Sequence, residues 1–183
     1  MLDGLEIPYL VGGSLASSLY GIPRSTHDAD VVADLAEEDV PRLIVSLREL
    51  FYLDEERITE AIRARTSFNL LHLATVVKVD IFVLRATVFA RQEMIRRQTI
   101  SLPGTGRHLV VASAEDTILQ KLRWYEVGGR SSDQQWRDIL GVLKVRASSL
   151  DRSYLDRWAQ ALDLGELLAR ATEDAGLPPS SAG

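Results

Sequence analysis

The chain has 183 residues, a formal net charge of −5 and no cysteine. A chain of this size removes roughly 70% of its unfolded surface from water, so it needs neither disulfides nor a structural metal to fold. The lack of cysteine excludes Cys-based zinc sites, iron–sulfur clusters and thiol nucleophiles. The negative balance disfavours general binding to duplex nucleic acid, whose phosphates supply most non-specific affinity.

The first ten residues carry Asp3 and Glu6 and no basic stretch, so no signal peptide is expected. No apolar run approaches the roughly 20 residues that span a bilayer, and the expectation is a protein with no membrane partner, located in the cytoplasm. Residues 6–11 read as a strand running into Gly12-Gly13, and residues 14–20 as a short helix closed by Gly21-Ile22-Pro23. Residues 27–33 read as a strand with β-branched Val31 and Val32. Residues 37–51 read as a helix with Val40, Leu43, Ile44, Leu47 and Phe51 at helical spacing. Residues 57–65 are ambiguous. Residues 67–73 and 77–84 read as an antiparallel pair, residues 87–97 as an Arg-rich helix, and the neighbourhoods of Ile100 and Val110 as strands about a Pro103-Gly104-Thr105-Gly106 turn.

Beyond residue 112 the pattern is helical only. Ser113 is an N-cap, Gly128-Gly129 a stop, and Ser132 with Gln135 a capping box for the next helix. Two further helices cover residues 151–162 and 164–175. The predicted organisation is an α/β core over residues 1–112, a helical region over 113–177, and a disordered tail over 178–183.

The most informative stretch is Gly12-Gly13-Ser14 followed by Asp28-Ala29-Asp30. On a strand Asp28 and Asp30 point the same way. Two adjacent carboxylates repel unless a cation sits between them, and oxygen-only ligands favour Mg²⁺ or Mn²⁺. Such a pair can chelate metals that clamp a triphosphate and its attacking hydroxyl. The glycines admit backbone amides close to a phosphate at a helix start, and Ser14 adds a hydroxyl donor. The competing reading is two aspartates on a solvated strand edge.

The stretch VGGSLASSLYGIPRSTHDADVVADL resembles the signature of the DNA polymerase β nucleotidyltransferase superfamily. Its spacer is similar to that of small stand-alone bacterial members related to the abortive-infection type IV toxins. The resemblance implies an α+β nucleotidyltransferase fold, a small mixed sheet flanked by helices and followed by a helical region. It also implies transfer of a nucleoside monophosphate from NTP to a hydroxyl. The acceptor would be an RNA, a protein or another hydroxyl compound, and an antitoxin is a candidate partner. A catalytically inactive nucleotide-binding or partner-binding protein on the same fold is the alternative.

In the strand VKVDIFVL, Asp80 is a lone acid opposite the face of Val77, Val79, Ile81 and Val83. Burying an unpaired carboxylate is costly, so it needs a partner. That partner is a metal shared with Asp28 and Asp30, or Lys78 in an ion pair; the remaining reading is an acid exposed at a strand edge. In the superfamily the third acid is also the candidate base for the attacking hydroxyl.

In the helical half, Lys121 borders an apolar face with Ile118 and Tyr125, and Asp138 lies within the stripe of Gly141, Val142 and Val145. The two charges can pair structurally. The toxin-like relatives carry a Lys and then an Arg-Asp pair in this region, and the match implies that Lys121 contacts triphosphate and Asp138 orients it. Arg24 either reaches a phosphate or is a solvated loop residue. Arg85, Arg91, Arg96 and Arg97 form a local basic concentration that either follows a nucleic-acid end or is a solvated face. His27, His72 and His108 show no metal-ligand spacing, and Trp124, Trp136 and Trp158 fall on apolar stripes, which predicts core packing.

Overall fold

The computed structural model describes residues 2–102 and 104–178. Pro103 of the predicted turn, and the predicted tail from residue 179 onward, lie outside the described residues. The chain divides into two compact units: Met1–Gly12 with Thr26–Ala112, and Gly13–Ser25 with Ser113–Gly183.

The first unit holds a mixed seven-stranded sheet. Its strands are β1 (Tyr9–Val11), β2 (Asp28–Ala33), β3 (Phe51–Tyr52), β4 (Ser67–His72), β5 (Lys78–Val83), β6 (Gln98–Leu102) and β7 (Arg107–Val111), in the spatial order β3-β4-β5-β2-β1-β7-β6. β4 and β5 pair antiparallel, as their sequence patterns predict, and β5 lies parallel to β2. Alternation sorts the central strands: Val31, Ala33, Phe68, Leu70, Ile81 and Val83 are buried, while Asp28, Asp30, Asn69, Lys78 and Asp80 belong to the opposite face.

Among the described residues, three α-helices belong to this unit. α2 (Val40–Leu47) has Pro41 in its first turn and buries Val40, Leu43, Ile44 and Leu47 on one side. α3 (Glu55–Ala64) is capped by the Asp54 carboxylate, which accepts from the Arg57 amide, and packs on β4. α4 (Val88–Arg96) sets Ala90 and Met94 against Leu10, Leu84 and Ala112, with Val32 packed alongside.

The helix predicted over 37–51 is shorter than its apolar period suggests. A 3₁₀ turn occupies Glu37–Asp39, the α-helix stops at Leu47, and Phe51 opens β3. Phe51 pairs with His72 across β4, the two rings 5.1 Å apart and edge-on. An open edge of β4 and an aromatic residue suited to cross-strand packing override the helical period there.

The second unit is all helical: α1 (Gly13–Tyr20), α5 (Ala114–Val127), α6 (Asp133–Arg146), α7 (Arg152–Ala161) and α8 (Gly165–Asp174). α1 packs on α5 and α6. The sequence shows one boundary, at 112/113, because composition shifts there. It does not show that residues 13–25 leave the sheet unit, since that depends on packing partners more than a hundred residues away in sequence.

The α1–α6 contact is made at backbone level. A Cβ on Gly21 would lie 2.8 Å from the Val142 nitrogen and 2.9 Å from the Gly141 carbonyl carbon. Gly13 opens α1 with φ of 54°, a left-handed conformation that glycine adopts without strain.

α5 and α6 have the predicted serine caps, at Ser113 and Ser132. The capping box is half made, because the Gln135 side-chain oxygen is buried with no hydrogen-bond partner. Trp136 packs on Tyr125 with ring centres 4.9 Å apart. Trp124 departs from the core assignment: it is 53% exposed, since its turn of α5 faces outward while Leu122 and Tyr125 face in. Among the described residues no helix is long and apolar enough to cross a membrane.

Candidate active site

Two charged constellations stand out, one in each unit. In the sheet unit, strand register gathers the three predicted carboxylates. Asp30 is the direct partner of Asp80 across the parallel β2–β5 pair, and Asp28 is the partner of Lys78. Directly paired residues share a face, and so do residues two apart, so Asp28, Asp30, Lys78 and Asp80 project from one side of the sheet. The backbone also fixes Asp30 from behind, its carbonyl accepting from the Gly12 amide at 2.9 Å.

The Lys78 ammonium lies 2.8 Å from Asp80 Oδ2. The hydrogen bond to Asp80 raises the Lys78 pKa above its ordinary value, and the charges of Asp80, Asp28 and Asp30 add to the rise. Among the described residues no three acidic or histidine side chains close into a ready cation cage. At Asp80, the Lys78 ammonium neutralises the carboxylate. In donor chemistry the set still fits a hard divalent ion: all three are carboxylates, on adjacent strands, on one face. Asp28 is exposed and Asp30 half-buried.

In the helical unit, Asp138 is the centre. Arg24 donates to it twice, from Nε to Oδ1 at 3.1 Å and from Nη2 to Oδ2 at 3.0 Å. Lys121 Nζ donates to Oδ2 at 2.7 Å. The Ser17 hydroxyl donates to the same oxygen at 3.3 Å, and Arg24 Nη2 also donates to the Ser14 hydroxyl. The Lys121 and Asp138 side chains are 5% and 7% exposed, against 27% for Arg24. Burial alone would push the Asp138 carboxyl up; the hydrogen bonds from Arg24 and Lys121 outweigh it and hold it below the usual carboxylate value. Arg24 is raised in turn by its hydrogen bond to Asp138.

Arg24 is therefore neither a solvated loop residue nor aimed solely at a ligand: it is clasped to α6. The cluster of Ser14, Ser17, Arg24, Lys121 and Asp138 carries two cations on one carboxylate, a net single positive charge beside the start of α1. An anion with several acceptor oxygens, such as a phosphate, suits that surplus.

Sequence reading missed a second buried polar group in this unit. Asp116 is fully buried, accepting from the Ser113 hydroxyl at 2.7 Å and the Tyr154 hydroxyl at 2.6 Å. The Glu115 carboxylate accepts from the Asp151 amide at 3.0 Å. Acids in the first turn of a helix are favoured by the positive end of its dipole, and that was the available signal; the tie to α7 was not readable from sequence. The predicted basic concentration does not form one uniform patch, since Arg97 donates back to the Met94 carbonyl and Arg96 is half-buried. His72 and His108 bond to Thr75 and Ser101.

No protein-family model matches this sequence, and no curated protein matches it. Solved structures do. The chain is similar to an antigenic nucleotidyltransferase-like protein from Paracoccidioides brasiliensis, with 19% identity, 94% of this chain and 87% of that one covered, and a TM-score of 0.54. It is similar to the antibiotic-resistance factor ANT(2'')-Ia, with 14% identity, 94% and 91% covered, and a TM-score of 0.54. The fold is that of the nucleotidyltransferases, as the resemblance in the Gly-Gly-Ser and Asp-x-Asp stretch implies.

Proposed function

We propose that this chain transfers a nucleoside monophosphate from an NTP to a hydroxyl acceptor. One observation carries the reading: Asp28, Asp30 and Asp80 occupy one sheet face, with Asp30 and Asp80 in direct register. Asp28, Asp30 and Asp80 would hold Mg²⁺ or Mn²⁺, which would neutralise triphosphate charge and polarise the α-phosphate. Asp80 would also take the proton of the acceptor hydroxyl. The acceptor oxygen then bonds to the α-phosphorus, the bond to the α–β bridging oxygen breaks, and pyrophosphate leaves. In the helical unit, Lys121, Arg24 and Ser14 are the candidate phosphate contacts, with Asp138 orienting both cations, and the Gly12-Gly13 turn precedes Ser14 in the chain.

The test is transfer of label from α-labelled NTPs with and without Mg²⁺ or Mn²⁺. Label release that depends on the metal and vanishes in Asp28→Ala supports the reading. NTP binding that is indifferent to chelator and to Asp28→Ala sinks it. A non-catalytic reading of the same fold is favoured by one observation, the Lys78 ammonium in contact with Asp80; wild-type protein that fails to bind Mn²⁺ would select it. A toxin role extends the first reading and predicts growth arrest on expression of the wild type but not of Asp28→Ala.

A further inference from the structure

A guanidinium carries five N–H groups in one plane. In the helical unit every one of those on Arg24 meets an acceptor. Nε donates to Asp138 Oδ1 at 3.1 Å, and Nη2 donates to Asp138 Oδ2 at 3.0 Å and to the Ser14 hydroxyl. Nη1 donates to the Ser25 carbonyl at 3.2 Å. With its amide oxygen turned to the guanidinium, Gln134 accepts from Nη1 at 2.9 Å and lies 2.7 Å from Nη2. Gln134 and Asp138 stand four residues apart on α6, so both reach Arg24 from one face of that helix.

The other donors of the cluster are less fully used. Ser14 Oγ accepts from Arg24 and, among the described residues, donates to no acceptor. An ammonium has three N–H groups, and among the described residues Lys121 Nζ is given one acceptor, Asp138 Oδ2.

We infer that Arg24 is a positioning residue: it fixes the Ser14 hydroxyl so that its proton is presented to a phosphate oxygen, and Gln134 in turn fixes Arg24. The inference rests on the nucleotidyl-transfer reading and narrows the part of Arg24 in it to one that acts through Ser14.

The direction follows from hydroxyl chemistry. A serine oxygen has one proton and two lone pairs. The guanidinium occupies a lone pair, and its positive charge turns the proton to the other side. A hydroxyl that accepts from a cation is polarised and donates more strongly. Left alone, a serine side chain samples three staggered rotamers; the Arg24 contact selects among them. Ser14 also stands in the first turn of α1, where backbone amides lack intrahelical partners, so an anion that accepts from its hydroxyl meets those amides too. A direct contact between Arg24 and phosphate would require one of its acceptors to leave, and two of them belong to the Asp138 carboxylate, whose side chain is 7% exposed.

The experiment titrates a non-hydrolysable ATP analogue with Mg²⁺ into the full chain by calorimetry, for the wild type, Ser14→Ala, Arg24→Lys and the double variant. Lysine keeps an ion pair with Asp138 and loses the planar fork. Gln134→Ala is measured alone and on the Ser14→Ala background; Gln134 is exposed and its removal leaves every charge in place, so this pair decides the matter if Arg24→Lys does not fold in a thermal melt. Ser14→Ala and Arg24→Lys are each expected to weaken binding about tenfold, the scale of one hydrogen bond to a charged group. The double variant is expected to lie within about twofold of Ser14→Ala, because residues acting through one contact are not additive. Gln134→Ala is expected to weaken binding in the presence of Ser14 and to change nothing in its absence. Losses that multiply in the double variant would make Arg24 a contact in its own right. That result, wild-type affinity in Ser14→Ala, or a Gln134→Ala that loses nothing or loses the same without Ser14, overturns the inference and leaves nucleotidyl transfer standing. Failure of the wild type to bind the analogue would overturn that reading, and this one with it.

Discussion

The sheet unit and the helical unit each mix carboxylates with amines, in opposite proportions. On the sheet, one ammonium faces three carboxylates, and the Lys78–Asp80 pair is half open to solvent. In the helices, one carboxylate faces two cations, and Lys121 and Asp138 are almost wholly buried. A buried charge is kept only when its partners are in place, so the helical cluster is bound to its own geometry. The sheet face is more exposed, and its three carboxylates share one ammonium, paired to Asp80. The difference separates a charge cluster locked in place by burial from one left half open to solvent.

The sharpest way to break this comparison is Asp138→Ala. It leaves Lys121 and Arg24 without their shared carboxylate, and is expected to cost roughly 3–5 kcal/mol of stability, read from urea unfolding. A loss below about 1 kcal/mol would show that the cluster is solvated and not structural. Next in size is Asp28→Ala. Its side chain is exposed, so the melting temperature is expected to hold while nucleotidyl transfer falls at least about a hundredfold. A parallel fall in melting temperature would put Asp28 among the structural charges.

Lys78→Met sharpens the comparison from the other side. Removing the ammonium that holds Asp80 is expected to tighten Mn²⁺ binding about tenfold, or roughly 1.4 kcal/mol, measured by the free-Mn²⁺ EPR signal. Unchanged or weaker binding would mean that Lys78 does not compete for Asp80.

The smallest effect is a pH dependence. The Asp138 carboxyl is held below its unfolded value, so the folded state releases its proton more readily. Its contribution to stability is complete above the unfolded carboxylate pKa of about 3.9 and is lost as pH falls through the lower folded value. Asp138→Asn is expected to flatten the acid limb of the stability curve below about pH 4. An acid limb identical to the wild type would place the titration elsewhere.

The sequence made the sheet face legible because period-two alternation puts Asp28, Asp30 and Asp80 on known sides of their strands, and apolar flanks mark those strands clearly. Lys121 and Asp138 were legible as charges lodged in apolar stripes, and the structure joins them at 2.7 Å. Arg24 was not, because nothing local says that a loop residue will reach across 114 positions to a helix. Phe51 and Trp124 failed for a related reason: helical period marks which residues align, and tertiary neighbours decide which side is covered. The fate of residues 13–25 is the largest case, a segment that follows a strand in sequence and a helix pair in space.

The close backbone approach at Gly21 and Gly141 gives the helical cluster a gauge. Arg24 sits three residues past Gly21, and Asp138 three residues before Gly141, so the two partners hang from the two sides of one contact. The spacing between them is set by the thickness of methyl groups that are not there. Added bulk at either glycine acts as a shim, widening the joint between α1 and α6. A joint widened by a fraction of an ångström would loosen the clasp of Arg24 on Asp138 without touching a single charge.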